Sequence, residues 1–468
     1  MGTKFDERKV NDVTRRSNRR GVKYTRGFLR AQKKRARRLE LVPEGSLIVA
    51  MDLAHKEHCC WLSNVQKQPV DRLQISNNAA GMEKLIERAE ETKRRNGFGK
   101  IVFAMEPTGH YWMSVAAYLQ KRDCSYVLVQ PLSVKRERES TYYRYAKNDF
   151  RDAELIGNLT ADGKFTFTKL PNDAVWAGLK AAANEYIVTD MMLTAEQMRM
   201  HSFMERLYPE YTTAFKGVSS LTALSCLLSI KALPDVSCVE FLAQARAHSM
   251  GRIYGSKVLK FHKLASRPDR EWGASVYDEG LHPSIVHAAQ RYELLVKQHR
   301  EAQEKLLHFY QMAGYGAYAN TIPHVPAAIN AAALGLTGNP AQFDSSRCLT
   351  KFAGVDIKDN ESGDYHGTTP ITHRGDPFLR YIAYLTGFIL KTHEPVFMTR
   401  YKYLISRKTR PLKKNQAIIA LGCKYLRVLW TVCTQHVSYD PNAAEHGTQN
   451  DQGGTQNRGL TDALTDSV

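Results

Sequence analysis

Four acidic residues stand where the sequence predicts strand ends and the start of a helix. Asp52 and Glu106 each close an apolar run that is typical of a buried strand. Asp149 and Asp152 are three residues apart at a predicted helix start, which places both carboxylates on one helical face. Gathered in one pocket, four such carboxylates could hold two Mg²⁺ ions. A metal pair stabilises the attacking and leaving oxygens of a phosphoryl displacement.

A carboxylate at the end of a buried strand needs a partner, because removing a charge from water is costly. A divalent cation is one such partner. The alternative interpretation is that these acids are helix caps or solvent-exposed strand ends. The residues alone leave both interpretations open.

The composition indicates a basic protein with a polyanionic partner. The chain has 468 residues, a net charge of +19 and 43% hydrophobic residues. A charge of this size favours nucleic acid as the partner. No apolar run reaches the roughly 18 residues of a transmembrane helix, and the basic N-terminus lacks the apolar segment of a secretory signal. Eight cysteines without a Cys-x-x-Cys pair indicate reduced thiols. We therefore expect a cytoplasmic protein with no membrane partner.

An α/β domain is predicted at 46–165, where strands and helices alternate in the order β-β-α-β-α-β-α. A helical region is predicted at 170–319, with two long helical patterns at 174–207 and 283–312. These two helices could pack as an antiparallel coiled coil, or they could be an arm through which two chains dimerise. The alternative is that they are ordinary core helices.

Three further segments complete the predicted organisation. Residues 1–45 form a basic arm that either binds phosphates or is a solvated tail. Residues 320–436 form a compact, mostly helical domain. Residues 437–468 are rich in Asn, Gln, Gly, Thr and Asp, and we expect them to be disordered.

Three motifs carry a family resemblance. They read Asp52-Leu-Ala-His-Lys, Met105-Glu-Pro-Thr-Gly-His-Tyr and Lys147-Asn-Asp-Phe-Arg-Asp-Ala. Their order and context resemble the DEDD transposases of the "one-hundred-ten" insertion-sequence family, which includes Piv-type invertases and bridge-RNA-guided recombinases. The resemblance implies a RuvC-like, RNase H-type fold for the N-terminal domain. It also implies that Asp52, Glu106, Asp149 and Asp152 bind Mg²⁺ as catalytic residues.

A second resemblance lies in the predicted C-terminal domain. Phe352-Ala-Gly-Val-Asp-Ile, Glu361-Ser-Gly and Ile371-Thr-His-Arg-Gly-Asp-Pro-Phe-Leu-Arg are similar to the transposase domain of the same family. The resemblance implies that Ser362 is the nucleophile that attacks DNA. A serine hydroxyl needs a base or a metal to ionise, and the adjacent glycine permits close approach to a phosphate.

A cluster of basic residues with interspersed tyrosines follows this serine. Lysines and arginines neutralise phosphates, and tyrosines can stack on unpaired bases. The alternative is a solvated helix face. The residues predicted to bind nucleic acid are Arg374, Arg380, Arg400, Lys402, Arg407, Lys408, Arg410, Lys413 and Lys414.

The leading hypothesis is a transposase or site-specific recombinase that exchanges DNA strands through a phosphoserine intermediate. The resemblance implies donor and target DNA, a noncoding bridge RNA, and a homodimer or homotetramer as partners. Two alternatives stay open. One is a RuvC-like, metal-dependent nuclease or junction resolvase with water as the nucleophile. The other is a catalytically dead protein that only binds nucleic acid.

Overall fold

The computed structural model divides the chain into two compact units, residues 1–170 and 171–468. Most of the predicted basic arm and the end of the predicted tail lie outside the described residues. The structure describes residues 32, 35–141, 149–166, 173–356 (without 234, 250–251, 267–272 and 274–276), 361–362, 365–366 and 371–442.

The first unit is built on a five-stranded sheet with the strand order β3-β2-β1-β4-β5. Strand β1 is antiparallel to β2 and parallel to β4. Strand β2 is antiparallel to β3, and β4 is parallel to β5. The elements are β1 (Ser46–Asp52), β2 (Glu57–Asn64), β3 (Pro69–Ser76), α1 (Ala79–Asn96), β4 (Lys100–Met105), α2 (Tyr111–Gln120), β5 (Tyr126–Leu128), α3 (Pro131–Thr141) and α4 (Asp149–Ala161).

Helices cover both faces of this sheet. On one face, Met51 and Met105 pack with side chains of α1 and α2. On the other face, Ala50 and Ala104 pack with Ile156 and other apolar residues of α4. Because side chains alternate along a strand, a strand covered on both sides is apolar at every position. This arrangement explains the continuous apolar runs that precede Asp52 and Glu106.

The predicted α/β class is confirmed, but the predicted element order was incomplete. It lacked β3 and α3. Strand β3 lies at the sheet edge and carries Asp71 and Arg72, so it has no apolar run. Helix α3 contains five charged residues and buries Val134. Hydrophobic periodicity, on which the prediction depended, is weak in both segments.

Among its described residues, the regular elements of the second unit are helices and one short hairpin. Its elements are α5 (Ala174–Leu207), α6 (Leu221–Leu228), α7 (Cys238–Ala247), α8 (Gly255–Ala265), α9 (Asp278–Ala313), α10 (Gly316–Ala319), α11 (Ala327–Thr337), α12 (Ser346–Phe352), β6 (Glu361–Ser362), β7 (Tyr365–His366), α13 (Pro377–His393), α14 (Pro395–Ser406) and α15 (Lys414–Gln435).

The two long helices, α5 and α9, pack antiparallel against each other. Thr189 Oγ1 lies 3.0 Å from His299 Nδ1, and Arg291 Nε donates to Glu196 Oε1 at 2.9 Å. Residue numbers therefore rise along α5 as they fall along the facing part of α9. The antiparallel packing that the helical patterns suggested occurs within one chain.

Two separate hydrophobic cores lie along the pair of long helices. One core joins Leu179 of α5 and Leu306 of α9 to helices α11–α15. The other joins Met204 of α5 and Ile285 of α9 to helices α6–α8. Each end of the helix pair is therefore held by its own group of shorter helices.

Helix α15 is long and apolar enough to span a membrane, judged by length and composition alone. It is nevertheless a core helix of the second unit. Over its most apolar stretch 56% is buried, and Tyr425, Leu426 and Leu429 have no exposed surface. Packing against the surrounding helices accounts for its apolar character.

Candidate active site

Asp52 and Glu106 lie at neighbouring strand ends. Strands β1 and β4 are parallel, and Met51 pairs with Met105, so the two acids occupy the next position on each strand. Adjacent strands are about 4.8 Å apart. By alternation, both acids belong to the sheet face that carries Ala50 and Ala104, which is the face covered by α4. Both are half-buried.

Helix α4 brings Asp149 to the same end of the sheet. The helix crosses β1 and β2 closely, because a Cβ at Gly157 would lie 3.4 Å from Ala50 Cβ. Cys59 is the cross-strand partner of Asp52. Burial raises the pKa of the Cys59 thiol, and the charges of Asp149, Asp52 and Glu57 raise it further. The charges of Asp52 in β1 and Asp149 in α4 therefore both affect the buried Cys59 thiol.

Asp152 is held by an arginine that sequence reasoning missed. Arg138 of α3 donates from Nε to Asp152 Oδ1 at 2.8 Å, and its terminal nitrogen lies 2.8 Å from Oδ2. Asp152 is 4% exposed. A bidentate contact with a guanidinium group is among the strongest hydrogen-bonded contacts that a carboxylate makes. The charge of the fourth predicted ligand is thus balanced by the protein itself.

The acids fit a magnesium site in chemistry, and partly in placement. Carboxylate oxygens are the ligands that Mg²⁺ prefers, and Asp52 and Glu106 stand side by side. However, the described part of the chain contains no group of three or more His, Cys, Asp or Glu side chains arranged to hold a metal ion. The metal-binding role of the four acids stays a prediction.

Two histidines and a tyrosine lie beside the strand ends. The Tyr111 ring is 5.9 Å from that of His55 and 4.3 Å from that of His110. His55 follows Asp52, and the other two follow Glu106, so the segments after both acids meet. Imidazole and phenol groups can donate hydrogen bonds to a phosphate. Their position within the two motifs was the signal that could have identified them.

Residues 352–356 and 372–376 flank the loop that contains Ser362, and three backbone hydrogen bonds join them. We call these two segments the stem of the loop. Thr372 N donates to Asp356 O at 2.9 Å, His373 N to Gly354 O at 3.1 Å, and Asp376 N to Phe352 O at 3.2 Å. These bonds join the two motif segments on either side of the loop.

Two glycines allow this stem to close. Gly354 has a φ of 69°, and a Cβ there would lie 2.8 Å from Gly375 N. Arg380 also donates to Gly375 O at 2.9 Å and to Ala353 O at 3.3 Å. The arginine predicted to bind nucleic acid therefore also stabilises the stem.

Ser362 lies in a two-residue strand within this loop. It pairs with Tyr365, and Glu361 pairs with His366. The two intervening residues are Gly-Asp, a composition typical of tight hairpin turns. The Ser362 side chain lies outside the described residues. The backbone of Ser362 is therefore part of a hairpin. Its role as a nucleophile stays a prediction.

The predicted nucleic-acid-binding residues divide into two groups. Arg380, Arg400 and Arg407 are half-buried. Arg407 Nε donates to Arg410 O at 2.8 Å, and the Arg400 guanidinium lies 5.2 Å from the Tyr403 ring centre. The other residues expose their side chains to solvent, and these are Arg374, Lys402, Lys408, Arg410, Lys413 and Lys414.

Two family models match the chain. One, described as a transposase of the DEDD type of IS110, matches residues 49–209. The other, described as the transposase of the IS116/IS110/IS902 family, matches residues 317–402. The chain belongs to the IS110 family of transposases. A search of curated proteins gives no match.

The matched ranges contain the predicted catalytic residues. The first contains the four acids, and the second contains Ser362 with its stem. The predicted family and the predicted enzyme class are confirmed: the transposase is an enzyme that acts on DNA. The four acids lie in the first unit and Ser362 in the second.

Proposed function

We propose that the transposase is a site-specific recombinase that works through a phosphoserine intermediate. Ser362 Oγ attacks a DNA phosphorus, and a phosphorus–oxygen bond forms as the bond to a deoxyribose oxygen breaks. A hydroxyl of the exchanged strand later displaces the serine and restores a phosphodiester. The number of phosphate ester bonds is unchanged, so the cycle needs no ATP.

The observation that carries this proposal is the hydrogen-bonded stem that flanks the Ser362 loop in the chain. A nucleophile must be held close to its attack position, since proximity and orientation supply much of a rate enhancement. The stem bonds between Gly354 and His373 and between Asp356 and Thr372 provide such support. When bound, Mg²⁺ would polarise the phosphate and lower the pKa of an attacking hydroxyl. Asp52, Glu106, Asp149 and Asp152 are the residues proposed to hold it.

Guidance by a bridge RNA is part of the proposal. The sequence contains no zinc finger or similar base-reading motif. Exposed lysines and arginines that follow the serine loop in the sequence can bind a phosphate backbone without reading its sequence. Sequence would then be read by pairing with the RNA, as in other guided enzymes.

A homodimer or homotetramer is also proposed, with the acids of one subunit serving the serine of another. Support comes from apolar side chains that are exposed along α5 and α9. Exposed apolar patches often mark interaction surfaces. These side chains belong to Val188, Met191, Met192, Met198, Leu294 and Val296.

Replacing Ser362 with Ala tests the proposed nucleophile. The protein is expressed together with the DNA that flanks its gene, and covalent protein–DNA adducts are recovered under denaturing conditions. We expect Ser362→Ala to abolish the adduct while RNA binding is retained, since the backbone hairpin needs no hydroxyl. Ser406→Ala, at an exposed serine in α14, is the matched control and should leave the adduct intact. Adducts that persist in Ser362→Ala would contradict the proposal.

A metal-dependent nuclease that uses water is the second candidate. It is favoured by the placement of Asp52 and Glu106 at adjoining strand ends, which does not involve Ser362. In that case Ser362→Ala would still cleave DNA, without an adduct. Loss of metal-dependent cleavage in Asp52→Ala would exclude a protein that only binds nucleic acid.

A further inference from the structure

A stretch without acidic residues lies between Glu240 and Asp269. It contains six lysines and arginines: Arg246, Arg252, Lys257, Lys260, Lys263 and Arg267. Its centre is helix α8, which packs with α6 and α7 around the core at the far end of α5 and α9. This core is separate from the one that supports the serine loop.

Helix α8 buries one face and presents a basic face to solvent. Val258, Phe261 and Ala265 are buried in the core. Lys257, Lys260 and Lys263 are exposed and follow one another at intervals of three residues. That interval corresponds to about 4.5 Å along the helix axis. Within the described residues, none of the three lysines forms an ion pair. Their charges are therefore available to a partner.

An anchored tyrosine stands at the start of this basic face. Tyr254 is 58% exposed, and the Lys257 ammonium lies 5.1 Å from its ring centre. Its backbone N–H donates to Thr222 Oγ1 at 3.2 Å, and its carbonyl accepts from Lys257 N at 3.0 Å. The backbone is held while the ring faces solvent. An exposed ring beside cations is the usual platform on which an unpaired base stacks.

Helix α9 shows what an ordinary solvated basic face looks like in this unit. Its exposed cations Lys297, Arg300 and Lys305 are interspersed with Glu301 and Glu304. Alternating charges of this kind are typical of a helix face that only contacts water. The face of α8 differs because it has no acid and carries an exposed aromatic ring.

We propose that the segment from Tyr254 to Lys263, the α8 edge, binds a single-stranded segment of RNA. A base stacks on Tyr254, and successive phosphates contact Lys257, Lys260 and Lys263. RNA is the partner because its loops remain unpaired, whereas DNA is unpaired only while it is being processed. The inference deepens the proposed RNA partnership, and it requires neither Ser362 nor a metal ion.

Fluorescence anisotropy of the full-length protein with labelled single-stranded oligouridine tests the α8 edge. Oligothymidine and duplex DNA of equal length are measured in parallel. Tyr254→Ala should weaken oligouridine binding by about fivefold or more, which is the loss expected for one stacked base. Tyr254→Phe should bind normally, because it keeps the ring. Duplex DNA binding should not change in either variant.

A triple variant, Lys257→Gln with Lys260→Gln and Lys263→Gln, tests the phosphate contacts. The slope of log affinity against log salt concentration should fall by about 2, because three contacts to a single strand are lost. The matched control is Lys297→Gln with Arg300→Gln and Lys305→Gln, which removes the same charge from α9 and should leave the slope nearly unchanged.

Three results would overturn the proposal. They are equal losses in the two triple variants, normal oligouridine binding by Tyr254→Ala, and equal effects of Tyr254→Ala on oligouridine and duplex DNA. Because no strand is cut in these assays, their outcome is independent of the Ser362→Ala experiment. Failure of one proposal can therefore be told from failure of the other.

Discussion

At the scale of single residues, the contact between Arg138 and Asp152 decides how the fourth acid can act. Both carboxylate oxygens are engaged at 2.8 Å. A buried carboxylate without a partner is costly, and the arginine supplies that partner. A cation that bound Asp152 would have to share these oxygens or displace the arginine. Arg138 is therefore expected to compete with a metal for this carboxylate.

Arg138→Gln should lower stability and strengthen metal binding. We expect the free energy of unfolding to fall by about 1–3 kcal/mol, the usual cost of leaving a buried polar group without its partner. The larger cost of breaking a fully buried pair does not apply, because the Arg138 side chain is 39% exposed. Added Mg²⁺ should then raise the melting temperature more in the variant than in the unaltered protein.

Lys135→Gln is the control for this prediction. Lys135 lies on the same helix, is exposed, and is 3.9 Å from the exposed Glu139. An exposed pair of this kind contributes little to stability, so neither the melting temperature nor its response to Mg²⁺ should change. A weaker response to Mg²⁺ in Arg138→Gln would instead mean that the arginine positions Asp152 for the metal.

The sequence predicted the acids but not Arg138, for a physical reason. Asp52 and Glu106 follow apolar runs, and a charge after a buried strand is conspicuous. Arg138 is one of several charged residues in α3, and nothing in that pattern distinguishes it. Its contact with Asp152 depends on how α3 and α4 pack, which local sequence does not determine.

At the scale of elements, helices α13 and α15 approach each other through glycines. A Cβ at Gly422 would overlap the carbonyl oxygen of Ala383, and a Cβ at Gly387 would lie 2.9 Å from Gly422 N. Only residues without a side chain permit such a contact. Helix α13 follows directly after the stem of the serine loop, so this packing holds the end of the stem in place.

Gly422→Ala should therefore destabilise the second unit. Overpacking of a helix contact typically costs about 1–3 kcal/mol, although alanine favours the helix intrinsically. Gly280→Ala is the matched control, because Gly280 lies in α9 with nothing within 4 Å of an added Cβ. That variant should gain about 0.5–1 kcal/mol. Urea unfolding of both variants measures the difference, and equal changes would refute the close packing.

Sequence patterns predicted the long elements well and the short polar ones poorly. The helical pattern at 174–207 has the same bounds as α5. Helix α8 lies in the predicted helical region 170–319 but was not predicted as a separate element, because its three lysines obscure the spacing of Val258 and Phe261. Periodicity reports one buried face, so an element is missed when charged side chains dominate the rest of it.

At the scale of the whole molecule, the acids and the serine belong to different compact units. In the proposed oligomer, the acids of one subunit act with the serine of another. Complementation between inactive chains follows from this arrangement. Neither the sequence nor the structure of one chain can predict such a site, because it would form only on assembly.

Co-expression of Asp52→Ala chains with Ser362→Ala chains should restore the covalent protein–DNA adduct, because a mixed assembly contains one complete pair of acids and serine. Each variant expressed alone should give none. The measurement is the same denaturing recovery of adducts. If co-expression restores nothing while both variants still assemble with the unaltered chain, the acids and the serine act within one subunit.

The antiparallel helices α5 and α9 also act as a spacer of defined length. Along α9, the last residue in one core is Ala289 and the first in the other is Leu306. At 1.5 Å per residue, this interval is about 25 Å, which is roughly the length of seven stacked base pairs. The helix pair thereby fixes the two groups of shorter helices to sites about 25 Å apart along α9.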